Sequence, residues 1–127
     1  MTIDVLPLPR WSRARFLAGA NKYIQQESTF WRRSLWERAG ARLSTEFRAE
    51  GDCELWVRFF RYARLHSVNA LIGGYRLHDG ALSASNMACY DATCDAIAAR
   101  EVRSLPGRER AALQTFRWIS EAVKPIP

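Results

Sequence analysis

One stretch constrains the fold more than any other. Between residues 52 and 64, Leu55, Trp56, Phe59, Phe60 and Ala63 recur at the three- and four-residue spacing of one helix face. Arg58, Arg61 and Arg64 fall at i, i+3 and i+6, on a second face. A helix carrying so many bulky apolar side chains has to be packed against other elements, and most of the remaining chain also reads as helix. Residues 11–20 form a short one, with Ser12 as N-cap and Gly19 near its end. Residues 28–39 form another, capped by Ser28 or Thr29 and closed by Gly40, with Phe30, Trp31, Leu35 and Trp36 as its large apolar residues. Ser83 or Ser85 opens a helix to about residue 103, with Met87, Tyr90, Cys94 and Ile97 as the buried stripe. Beyond the break at Pro106 and Gly107, a last helix to about residue 123 presents Leu113, Phe116 and Ile119 and stops before Pro125 and Pro127.

Strand signals are weaker. Tyr23 and Ile24 read as a short strand, and 67–75 as another, interrupted by Gly73 and Gly74. His78, Asp79 and Gly80 mark a turn, and residues 1–10, with Pro7 and Pro9, an extended lead-in. One or two short strands cannot make an independent sheet. The chain is therefore either mainly helical or built to join a sheet it does not itself contain.

Composition sets outer bounds. With 127 residues, 48% hydrophobic and 25% charged, the chain suits one globular domain. No apolar run approaches the ~20 residues of a membrane span. The first residues carry neither a basic nor an apolar signal region, so the expected location is the cytoplasm, with contact at a membrane's inner face compatible with it. Cys53, Cys89 and Cys94 are odd in number and lack a CxxC spacing, which points to free thiols rather than zinc ligands or a disulfide framework. The net charge of +6 is carried almost wholly by arginine, Lys22 and Lys124 being the only lysines. Such a balance favours anionic partners such as phosphates, anionic lipid or nucleic acid, without choosing among them.

Three stretches stand out in register: Gln26-Glu27-Ser28-Thr29-Phe30-Trp31-Arg32-Arg33 leading to Gly40, then Asp52-Cys53-Glu54-Leu55-Trp56-Val57-Arg58, then Tyr75-Arg76-Leu77-His78 with Ser83 following. Together, over about residues 21–85, they resemble the second half of family 2 glycosyltransferases. The resemblance implies an α/β fold class: a partial GT-A type fold, mostly helical here with one or two short strands. It also implies one incomplete glycosyltransferase domain over 1–127, with the family-like core at about 21–85 and C-terminal helices at about 85–123. The implied reaction is inverting transfer of a sugar from a nucleotide-diphospho-sugar donor to an acceptor hydroxyl.

By the same resemblance Asp52 is the catalytic base, since inverting transfer needs a group to take the proton of the attacking hydroxyl. An acidic residue often precedes this Asp in the family, whereas this chain has Gly51. Read from the residues alone, Asp52 also suits a helix N-cap, and the two roles are compatible. Substrate binding is implied for Gln26, Arg32, Arg33, Glu54, Trp56 and Arg76. Each has a structural reading beside it. Glu54 pairs with Arg58 and Arg33 with Glu37 at i, i+4; Trp56, like Trp31 and Trp36, packs in the core; Arg76 is a solvated loop residue. His78 is a candidate near the donor diphosphate or its metal, or else a turn residue, and His66 suits a helix end. A divalent ion, Mg²⁺ or Mn²⁺, is implied by resemblance only.

The chain shows no Asp-x-Asp motif of the kind that holds metal and diphosphate in this family; Asp91 and Asp95 are one helical turn apart and do not fit it. The donor-binding half is thus expected to be missing, as in a truncated or split enzyme whose other half is a separate chain, and the chain alone is expected to be inactive. The rival reading is a non-enzymatic basic helical module for nucleic acid or a partner protein. Its arginines are scattered over several helices instead of gathered into one reading motif.

Overall fold

In the computed structural model, residues 11–20, 23–47, 50–74 and 82–122 are described. Among them the chain forms α1 (Arg13–Leu17), a 3₁₀ turn (Gln26–Ser28), α2 (Arg33–Arg38), α3 (Gly51–Phe60), α4 (Leu82–Ser104) and α5 (Gly107–Ala122). No strand occurs among the described residues. This corrects the expected α/β class and the partial GT-A type fold, which is organised around a sheet. Tyr23 and Ile24 are irregular, and so are residues 67–74, while Tyr75 lies outside the described residues. A strand exists by pairing, and among the described residues 67–74 has no ladder to join; Val68, Leu71 and Ile72 are all exposed. The expected turn at His78–Gly80 also lies outside the described residues.

α3 is the central element. Cys53, Leu55, Trp56, Val57 and Phe59 are all buried, so nearly its whole circumference is covered. It packs on α4, which packs on α1, which in turn meets α5. The core joins Phe16 and Leu17 of α1 and Cys94, Ile97 and Ala98 of α4 to these α3 residues, with Leu105 closing the bottom of α4. Phe16 meets Phe60 in a tilted ring pair at 5.4 Å. Each fully buried Leu, Ile, Val or Phe among them contributes about 1.5–3 kcal/mol. Met87, expected on a buried stripe, is exposed, and so is Ile119 of the last helix.

Helix ends follow local chemistry where the chemistry is local. Ser12 accepts a hydrogen bond from the Arg15 backbone N–H at 3.1 Å and so caps α1. Gly40, at φ 97°, closes α2: its N–H donates to Glu37 O and the Ala41 N–H donates to Trp36 O, the reciprocal pair of a Schellman ending. The expected helix over 28–39 is nevertheless split. Residues 26–28 make the 3₁₀ turn, Thr29 to Arg32 are non-helical, and α2 starts at Arg33. Thr29 turns its hydroxyl back to the Gln25 carbonyl at 2.7 Å instead of capping α2. α3 ends at Phe60, four residues before its expected end, where Arg61 and Tyr62 donate to the carbonyls three residues earlier and tighten the last turn.

Two ion-pair clusters tie the helices together. Arg58 and Glu54, one turn apart on α3, have side chains only 8% and 12% exposed and meet at 2.9 Å. The same guanidinium donates to the carbonyls of Ala39 and Arg42, so it also binds the C-terminal end of α2. On α4, buried Glu101 accepts from Arg61 at 2.5 and 3.0 Å and faces Arg13 of α1 at 3.6 Å.

Removing Arg58 leaves a buried carboxylate and two carbonyls without their donor. Arg58→Ala is expected to lower stability by roughly 3–5 kcal/mol in urea unfolding. Arg58→Lys is expected to recover only part, because an ammonium cannot reproduce the fork. Full recovery by lysine would show that charge alone, not the fork, holds α2.

Candidate functional site

Asp52 sits in the first turn of α3, two residues after the N-cap position, which Glu50 occupies without a side-chain cap bond. The Asp52 carboxylate binds the helix end from inside: Oδ1 accepts the Cys53 backbone N–H at 2.7 Å. This satisfies one of the N–H groups left free at a helix start and places the negative charge at the favourable end of the dipole. The phenol of Tyr90, on α4, donates to the same carboxylate, 3.3 Å from Oδ1 and 3.4 Å from Oδ2. Burial is the largest influence on Asp52 and lifts its pKa above the ordinary value of 3.8. The bonds from Cys53 and Tyr90 act against that rise, and the charge of Glu50 adds to it.

Tyr90 is itself held. Its ring stacks on Tyr23 at 6.0 Å and 21°, and Tyr23 Oη donates to Asp91 Oδ1 at 2.5 Å. Burial first, then the Asp52 charge, pushes the Tyr90 phenol well above its ordinary range, so it remains a donor. The bond to Asp91 likewise raises Tyr23.

Beside α3 lies a half-open groove of about 410 Å³ between the segment 24–38 and the end of the helix. Trp31, Arg32, Leu35, Arg38, Trp56, Phe59, Tyr62 and Arg64 line it. Trp31 lies edge-on to Trp56 and Phe59, at 5.8 and 5.4 Å. The Trp56 indole N–H is buried and has no hydrogen-bond acceptor among the described residues. Arg38 covers the Tyr62 ring at 4.9 Å. The groove is therefore aromatic within, with arginines in its lining and no carboxylate among the described residues that form its walls.

The residues implicated by sequence are only partly gathered. Arg32 and Trp56 share the groove, but Asp52 does not line it. Trp56 is 3% exposed and is a core residue whose edge reaches the groove. Arg33 is exposed and bonded to Glu37 at 2.8 Å, and Glu54 is held by Arg58. Gln26 is exposed in the 3₁₀ turn. Gly73 approaches that turn so closely that an added Cβ would lie 2.7 Å from Ser28 Oγ and 2.9 Å from Glu27 O, which places the chain just before the third motif against the first. Arg76 and His78 themselves lie outside the described residues. None of the three cysteines is in a disulfide, and of them only Cys89 is exposed.

Among the described residues, no group of three or more His, Cys, Asp or Glu is placed to hold a metal ion, so they do not supply a ligand set for Mg²⁺ or Mn²⁺. No helix among them is long and apolar enough to cross a membrane. The partners of Asp52 were not legible: Tyr90 lies 38 residues away and reads in sequence only as part of an apolar stripe. In comparisons with family models, curated proteins and solved structures, nothing matches the chain.

A carboxyl with a raised folded-state pKa holds its proton more tightly in the folded chain. Its contribution to stability is complete below pH 3.8, the ordinary value, and is lost as pH rises through the raised value. Asn at this position cannot ionise. Relative to Asp52→Asn, the wild-type urea midpoint is expected to fall between about pH 3 and about pH 7. A pH-independent difference would contradict the raised value.

Proposed function

We propose that this chain supplies the acceptor-side, catalytic-base part of an inverting sugar transfer from a nucleotide-diphospho-sugar to an acceptor hydroxyl. The reading rests on the three motifs in register, and one observation carries it furthest: Asp52 is a half-buried carboxylate, fixed at a helix start, with its proton affinity raised by burial. A general base works best with a pKa closer to the working pH than an exposed carboxylate has, and a rigid mount keeps it in line with the attacking oxygen.

In this reading Asp52 takes the hydroxyl proton as the acceptor oxygen bonds to the anomeric carbon and the nucleoside diphosphate departs. Arg32 and the groove beside α3 supply the acceptor wall, with the aromatic surface suited to the faces of a sugar or another apolar ring. The donor, and any divalent ion that travels with its diphosphate, belongs to a donor-binding polypeptide working with this chain. The alternative of a basic nucleic-acid module draws less support, because Arg13, Arg58 and Arg61 are engaged by Glu101 and Glu54 within the fold.

The test joins the chain to a donor-binding glycosyltransferase half and follows sugar transfer. Asp52→Asn is expected to reduce the rate roughly 100- to 10,000-fold, the range of general-base catalysis. Undiminished transfer would remove Asp52 from the role.

A further inference from the structure

Among the described residues, one side chain hydrogen-bonds Asp52, and it comes from a different helix. Tyr90 reaches both carboxylate oxygens from α4, at 3.3 and 3.4 Å. Its ring is clamped on the far side by Tyr23, 6.0 Å away and nearly parallel, and Tyr23 is fastened in turn to Asp91 on the same helix. A phenol in a hydrophobic stripe with two adjacent anchors has little freedom to leave its acceptor. Packing alone accounts for the ring but not for the hydroxyl, which a Phe of the same shape would omit.

From this geometry we propose that Tyr90 is a positioning residue for Asp52: its hydroxyl fixes the orientation of the carboxylate and sets the pH at which that group ionises. The proposal rests on the reading of Asp52 as the base, and it adds the control of that base. The phenol donates to the carboxylate, so it favours the ionised form, against burial and against the charge of Glu50 just ahead of α3. From α3 the surroundings include Cys53; from α4, Cys94. Across the stack are Tyr23, Asp91 and Asp95. Of these groups Tyr90 is the one whose side chain donates to the carboxylate.

The carboxyl carbon of Asp52, observed by ¹³C NMR in the intact chain, reads this directly. Tyr90→Phe is expected to raise the Asp52 midpoint by about one pH unit, the equivalent of losing one hydrogen bond to a charged group. A midpoint within about 0.2 unit of wild type overturns the proposal. Should Tyr90→Phe not fold, 3-fluorotyrosine at position 90 keeps the shape and makes the phenol a stronger donor. The midpoint is then expected to move down, and an unmoved midpoint overturns the proposal equally. Neither measurement depends on sugar transfer. Loss of the base reading through an active Asp52→Asn variant leaves the titration standing, whereas an unmoved titration removes Tyr90 and leaves the base.

Discussion

The guanidinium of Arg58 is the interaction on which the arrangement depends. It is almost wholly buried, and a charge in that position is tolerable only when every donor is used. Glu54 takes one edge of the fork, and the carbonyls of Ala39 and Arg42 take the other. The result is more than a salt bridge. The carbonyls at and just beyond the end of α2 would otherwise be left to water, and here they are bound to the last turn of the central helix. That bond fixes where α2 ends relative to α3, and with it the groove that Arg32, Trp31 and Trp56 share.

Glu101 plays the matching part on the opposite side. A buried carboxylate on α4 draws in Arg61 from the end of α3 and Arg13 from α1. The two clusters engage three arginines of a chain with a net charge of +6, while most of the other described arginines are exposed. Of the three, Arg58 is buried and fully engaged within the fold, whereas Arg13 and Arg61 keep part of their surface in solvent. Arg32 and Arg64, in the groove, have no such ion pair among the described residues.

The start of α3 combines two demands that are usually separate. A carboxylate there stabilises the helix by binding free N–H groups, and burial makes the same carboxylate reluctant to ionise. The helix end and the Tyr90 hydroxyl oppose the burial, so the proton affinity of Asp52 is a balance of three neighbours and not a property of the residue. A carboxylate on which such a balance acts can have its proton affinity adjusted by changing a neighbour without moving the carboxylate.

What the sequence determined by itself was local. The apolar stripe of α3, the Ser12 cap, the Gly40 ending and the pairs Glu54–Arg58 and Arg33–Glu37 all follow from spacings of a few residues, because a helix brings i and i+4 together whatever surrounds it. The length of α4 was legible for the same reason, as was the core position of Trp56. Strands were not, because a strand is completed by a partner elsewhere, and 67–74 found none among the described residues. The splitting of 28–39 turned on Thr29 choosing a backward bond over a cap, a choice between two local partners that composition does not decide. Only the tertiary structure decided that Arg58 reaches past Glu54 to α2, that Glu101 gathers two arginines, and that Tyr90 meets Asp52. Those contacts span 16 to 88 residues of chain, and no periodicity encodes which side chains will face each other once separate helices have packed.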